Sequence, residues 1–165
     1  ASCLVGSEMC IRDSNETITP TQSTTVLLYT MPGSGTQICS QFEELAQVIE
    51  QVNLKDKVGV CLDASAVWAA GYDIVNDLDG VLAQFDKAIG LDKLLAVHLN
   101  DCKEACGAHA DRHARIGEGA IGFEALSALT NHPALKEKPF YLEEPLDTLS
   151  VYSEDILRFT EAHQG

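Results

Sequence analysis

Basic residues are scarce in this chain: 11 lysines and arginines stand against 25 aspartates and glutamates, a formal net charge of −14 with the histidines neutral. That balance leaves no basic stripe able to neutralise a polyphosphate backbone unaided, so any contact with nucleic acid has to lean on bound cations. Long apolar runs are missing as well. Stretches such as Val58 to Leu62 and Leu94 to Val97 fall far short of the roughly 20 residues a helix needs to cross a bilayer, so no membrane span is expected. Prolines number only five, and 45% hydrophobic content over 165 residues suffices for one domain with a real core.

The first residues stand apart. Val5 to Ser14, V-G-S-E-M-C-I-R-D-S, has neither helical nor strand periodicity and resembles a reading-frame translation of a transposase-type sequencing adapter. Residues 1–14 are therefore expected to be a non-native, adapter-derived segment, with residues 15–23 as a linker. This affects the cysteines, because two of the six, Cys3 and Cys10, fall in that segment. Of the remaining four, Cys61 lies inside the apolar V-G-V-C-L run, where a thiol behaves as a small buried hydrophobe. Cys102 and Cys106 form a C-x-x-x-C pair that does not by itself make a metal site. The pattern is that of a reduced, cytoplasmic protein rather than a disulfide scaffold.

From Thr24 onward, short β-rich runs alternate with amphipathic segments. Thr24 to Thr30, Val58 to Asp63, Leu94 to Leu99 and Phe140 to Leu142 have strand character. Ser40 to Val52, with Phe42, Leu45, Ala46 and Ile49 at helical spacing, Leu78 to Ile89, Phe123 to Leu129 and Val151 to Ala162 have helical character. Four strand-then-helix units predict a parallel sheet covered by helices.

The polar residues sit where such a sheet does chemistry. Asp63 follows V-G-V-C-L, His98 follows L-L-A-V and Glu143 follows F-Y-L, three possible ligands at three strand C-terminal ends. In a (β/α) barrel those ends form the rim that carries active sites. The segment V-H-L-N-D-C-K-E-A-C-G-A-H-A-D-R-H-A-R-I-G-E-G, Val97 to Gly119, adds Asp111 and His113, whose i, i+2 spacing puts both side chains on one face if extended. Imidazoles and carboxylates gathered at one strand end make a metal-site pattern. The bland readings are that Asp63 and Glu143 cap following helices and that His98 is a core histidine. His109 and His132 lack matching partners and read as surface residues, with His163 near the chain end. Glu144 and Asp147 read as a solvated acidic face, and Trp68 in A-V-W-A-A as core.

The pattern V-H-L-N-D-x-K-x-x-x-G-x-x-x-D-R-H-x-x-I-G-E-G resembles a signature of the endonuclease IV family, the AP endonuclease family 2 of xylose isomerase-like TIM barrels. F-E-E-L at Phe42 to Leu45, V-G-V-C-L-D with A-A-G-Y-D at Val58 to Asp73, and L-E-x-P at Leu142 to Pro145 are similar to that family in order and spacing. The resemblance implies an α/β fold, a partial TIM barrel of about four C-terminal β/α units in residues 24–165. It implies an enzyme that hydrolyses DNA phosphodiesters at abasic sites in repair, with up to three zinc ions at the rim. Asp63, His98 and Glu143 would then be ligands of one zinc, and Asp111 and His113 two of three ligands of another. Asp63 and Glu143 would be catalytic, while Arg112 and Arg115 would contact phosphate. Two family ligands are replaced: Ala66 stands where a histidine is expected, and Tyr29 where a bridging glutamate is expected. With two further histidines outside this chain, one zinc site is expected to remain and the fragment to be inactive or impaired. Its outer strands, Thr24 to Thr30 and Phe140 to Leu142, are expected to be open edges that favour self-association. Two other readings compete, a metal- or partner-binding pseudoenzyme and a sugar isomerase or epimerase. The D-R-H-x-x-I-G-E-G segment speaks against the isomerase.

Overall fold

The computed structural model describes residues 2–143 and 149–163, so Glu144 and Asp147, with the second half of the L-E-x-P stretch, lie outside them. Four parallel strands form the central sheet: β1 (Val26–Tyr29), β2 (Val58–Asp63), β3 (Leu94–His98) and β6 (Phe140–Tyr141). Their order in space, β1-β2-β3-β6, follows the chain, so each crossover returns to the adjacent position. That singly wound order is the one a (β/α) barrel uses, and the sheet is part of such a barrel. The crossovers carry α2 (Phe42–Gln51), then α3 (Ala64–Ala70) and α4 (Leu78–Ala88), then α5 (Phe123–Asn131), and α6 (Leu149–Ala162) follows β6.

Every residue of β2 is buried, as expected of a central parallel strand covered on both faces. Gly59 leaves room there for the leucines of both neighbouring strands: a Cβ would come within 2.5 Å of Leu95 Cδ1 and 3.1 Å of Leu27 Cδ2, so a larger residue would displace those side chains. In α2, Phe42, Leu45, Val48 and Ile49 are buried in the core. The Glu44 carboxylate reaches back to the N–H groups of Ser40 (3.1 Å) and Gln41 (3.3 Å), covering donors that the helix start leaves open. Phe42 stacks on Tyr72 at 4.0 Å and meets Phe85 edge-on at 5.1 Å, tying α2, the α3–α4 link and α4 into one core.

Two helices were not foreseen. α3 is buried along its whole length, so its A-S-A-V-W-A-A sequence shows no polar face from which a period could be read. α1 (Ser2–Thr17) forms in a stretch whose sequence shows neither helical nor strand periodicity. It is held by tertiary contacts rather than by an apolar stripe: Asn15 donates to Gln51 O (3.3 Å) and accepts from Asn53 N (2.7 Å), and Ile11 packs against the core. Tertiary docking of this kind sustains helices whose own sequence is a poor helix former.

After β3 the chain makes a short antiparallel pair, β4 (Asp101–Cys102) with β5 (His113–Ala114), which returns the intervening loop to the sheet's C-terminal side. The outer strands β1 and β6 leave Val26, Leu27 and Tyr141 exposed. Among the described residues no helix is long and apolar enough to cross a membrane. The described cysteines are free thiols, with Cys39, Cys61 and Cys102 buried and Cys10 and Cys106 exposed. Since Phe85 is fully enclosed, Phe85→Ala should destabilise the fold by roughly 3–5 kcal/mol, as truncation of a buried aromatic does. Urea denaturation monitored by circular dichroism, with the exposed Val75→Ala as a control expected to change stability by less than about 0.5 kcal/mol, checks this.

Candidate metal centre

Parallel register fixes where the polar strand ends meet. Tyr29 pairs with Cys61, Asp63 with His98, and His98 with Tyr141, so β1, β2, β3 and β6 deliver their last residues to one edge of the sheet. Asp63 is wholly buried at the centre of that edge. Its Oδ1 accepts from Ala66 N at 2.7 Å, capping α3, while Oδ2 accepts from the Tyr29 hydroxyl and from Asn100 Nδ2, each at 2.5 Å. Its own N–H donates to Thr30 Oγ1 at 2.9 Å. The cap and ligand readings of Asp63 are therefore compatible, since one carboxylate has lone pairs for both. Burial pushes the Asp63 carboxyl above its usual range, opposed by the Tyr29 and Ala66 hydrogen bonds.

The β4–β5 pair brings Asp111 and His113 to the same place. Asp63, Asp111 and His113 offer ligand atoms that all lie within 4.8 Å of one another, a carboxylate, carboxylate and imidazole set. His113 Nε2 lies 3.4 Å from Asp111 Oδ1, and its other nitrogen, Nδ1, sits 2.9 Å from Glu143 O. Donation from Nδ1–H to that carbonyl turns Nε2 towards the cluster, the arrangement that orients metal-binding histidines. Ser65 Oγ donates to Asp111 Oδ1 and fixes the second carboxylate. The hydrogen bond to Asp111 is the main reason that the His113 imidazole is pushed up to about 9, with burial opposing it and the charges of Asp111 and Asp63 adding to it. Burial alone would raise Asp111, but its hydrogen bonds from His113 and Ser65, together with the imidazolium charge, hold it below the usual carboxylate range.

His98 stands beside this cluster. Its Nδ1 is 3.9 Å from Asp63 Oδ2, 3.8 Å from Glu143 Oε2 and 3.0 Å from the Tyr29 hydroxyl. The Glu143 side chain is largely exposed, but its backbone is fixed at both polar groups: N–H donates to Asn100 Oδ1 at 2.9 Å and C=O faces His113. Tyr29 is no candidate for a free phenolate, because burial, reinforced by the Asp63 charge, drives its ionisation far above the ordinary tyrosine value. Ala66 is buried in α3 and supplies only its backbone N–H. Both arginines expected to meet phosphate are paired, Arg112 with Glu104 and Arg115 Nη2 with Glu154 at 3.5 Å, in exposed contacts that water and salt weaken. Trp68 is buried and donates to Glu104 O at 2.9 Å, a structural position. His109 is exposed, with Nδ1 3.1 Å from Pro32 O, and His132 Nε2 lies 3.0 Å from Asp79 Oδ1. Cys61 offers no ready thiolate, since burial, reinforced by the Asp63 charge, pushes its thiol up to about 12.

Three residues that shape the centre had been given no role: Ser65, Asn100 and Asp101. Asp101 is wholly buried, and its Oδ2 accepts from Gly117 N (2.9 Å) and Gly119 N (3.0 Å). Its Oδ1 accepts from Cys102 N (2.8 Å), Ile121 N (3.1 Å) and Gly122 N (3.3 Å). The I-G-E-G-A-I-G segment thus wraps one carboxylate. Gly119 is needed for that approach, since a Cβ there would lie 2.3 Å from Asp101 Oδ1. The available signal was the polar Asn100-Asp101 pair directly after β3, followed by a glycine-rich stretch with N–H groups to place. Ser65 was visible only as a polar residue two positions beyond a strand-end aspartate.

The family described as a xylose isomerase-like TIM barrel matches residues 8–161, starting inside α1 and so inside the segment expected to be foreign. The probable endonuclease 4 of Alkaliphilus oremlandii is 52% identical over 160 residues, covering 97% of this chain and 57% of that protein. That of Clostridium beijerinckii is 51% identical over 151 residues, covering 92% and 54%. Among solved structures, endonuclease IV from Thermus thermophilus superposes with a TM-score of 0.75 at 34% identity, over 84% of this chain and 49% of that one. The chain spans about half the length of the curated relatives it matches. The chain belongs to the xylose isomerase-like TIM barrel family, in which its curated relatives are probable endonuclease 4 proteins.

Proposed function

We propose that this chain contributes a zinc-binding part of the rim in an abasic-site endonuclease, a hydrolase of DNA phosphodiesters. The observation that carries the reading is the convergence of Asp63, Asp111 and His113 within 4.8 Å at the strand ends, in a chain whose relatives bear the endonuclease 4 name. Two carboxylates and one imidazole match the three protein donors that catalytic zinc uses while keeping a position open. Zinc held there supplies a Lewis acid that lowers the pKa of bound water and offsets phosphate charge. The protein's own part is to hold the donors still: Ser65 and the Glu143 carbonyl orient Asp111 and His113, and Asn100 anchors Asp63 to the backbone of residue 143. A chain of net charge −14 repels a DNA backbone, so the cation also supplies attraction that the surface lacks. Arg112 and Arg115 would join it once released from Glu104 and Glu154.

A second reading, a metal-binding pseudoenzyme, is favoured by Tyr29 and Ala66, which present a phenol and a methyl group at the rim where the family resemblance implies ligands. Nicking of an abasic-site oligonucleotide separates the two. The chain supplemented with the part of the Alkaliphilus oremlandii relative that it does not span should nick the strand in a zinc-dependent way, with His113→Ala lowering the rate by about 10–100-fold or more. Zinc binding without nicking would establish the pseudoenzyme instead.

The zinc affinity should also depend on pH. His113 is protonated below about 9, and a protonated nitrogen has no lone pair to give, so binding must expel a proton. Affinity should therefore rise with pH, by up to about tenfold per unit between roughly pH 6 and pH 8, in competition with a chelating dye. A flat profile would remove His113 from the ligand set.

A further inference from the structure

The Tyr29 hydroxyl stands between donors from neighbouring strand ends. It donates to Asp63 Oδ2 at 2.5 Å and lies 3.0 Å from His98 Nδ1, with the two rings edge-on at a centroid distance of 5.2 Å. Through His98 the same atoms reach Glu143, whose Oε2 is 3.8 Å from Nδ1. His98 Nδ1 thus stands between Asp63 and Glu143, while Asp63 also belongs to the cluster with Asp111 and His113, the one set whose donor atoms converge within 4.8 Å among the described residues.

A phenol has a single proton. With that proton given to Asp63, its oxygen can meet His98 only as an acceptor, so Nδ1 must carry hydrogen and has no lone pair to offer. Asn100 Nδ2 donates to the same Oδ2, and a carboxylate oxygen has two lone pairs. The face of Asp63 that turns towards His98 is thereby filled. Oδ1, which accepts only the Ala66 N–H among the described hydrogen bonds, keeps a lone pair for a cation.

We propose that the Tyr29 hydroxyl takes the place of a cation between Asp63 and His98, so that this rim holds one divalent ion, at Asp63, Asp111 and His113, where the strand ends would otherwise hold two. The inference rests on the metal centre proposed above and goes further in assigning a stoichiometry and the residue that sets it. Removing the hydroxyl releases His98 Nδ1 and one lone pair of Asp63 Oδ2, and the largely exposed Glu143 side chain then has room to swing in and complete a second set of three donors.

The test is titration of the metal-free chain with Co2+, read by visible absorption and by metal analysis after equilibrium dialysis. One ion per chain is expected for the wild type and two for Tyr29→Phe, with the second lost again in Tyr29→Phe combined with His98→Gln. Tyr29→Leu gives the same comparison should circular dichroism show the phenylalanine variant misfolded, and the wild-type stoichiometry is informative by itself. Two ions in the wild type, or one in the wild type and in the Tyr29 variants alike, overturns the inference while leaving the metal centre standing. No ion in any form overturns the metal centre, and the inference with it.

Discussion

A carboxylate with no solvent exposure, Asp63 at the end of the most buried strand, is the element on which the rim is built. A buried acid is costly unless its lone pairs are met, and here four groups on three other segments are placed to meet it or to anchor its backbone. Ala66 N–H ties it to the start of α3, Tyr29 to β1, Asn100 to the turn after β3, and Thr30 Oγ1 holds its own N–H. Parallel register then does the rest, because Asp63 lies opposite His98, and His98 opposite Tyr141. Moving β2 by one residue would turn Asp63 to the other face and dismantle every one of these contacts.

Around that hub the loop after β3 is folded by a second buried acid. Asp101 gathers backbone N–H groups from Cys102 to Gly122, and the β4–β5 pair it stabilises is what brings His113 back to the sheet. A loop that carries possible ligands is thus organised by backbone hydrogen bonds rather than by an apolar core. The division is a physical one. Packing of Phe42, Phe85 and the leucines positions the strands, while two carboxylates position the loop that completes the site.

The strands were legible because each is a short apolar run bounded by turn residues; β2 spans Val58–Asp63, the range its sequence pattern predicts. The amphipathic helices α2, α4 and α5 were legible from their apolar spacing. α3 was not, since total burial erases the polar face that reveals a helix, and α1 was not, since tertiary contacts rather than its own pattern hold it. Of the candidate ligands, position along the sheet was readable, and so were the neighbours His98 with Asp63 and Glu143 and His113 with Asp111, but the sharing of Asp63 was not. The sequence pairs His98 with Asp63 and Glu143, whereas in space Asp63 also joins Asp111 and His113, and Tyr29 bonds to both Asp63 and His98. Such grouping depends on the course of a loop that Asp101 sets, and a single carboxylate collecting distant N–H groups leaves only a faint trace in one sequence.

The central claim is that Asp63, Asp111 and His113 share one cation. X-ray absorption at the zinc edge of the zinc-loaded chain tests it most directly. A coordination sphere of one imidazole nitrogen and carboxylate oxygens at about 2.0–2.2 Å, with the imidazole contribution lost in His113→Ala, is the predicted result. A sphere dominated by sulfur at about 2.3 Å, or an imidazole signal that survives His113→Ala, would contradict the account.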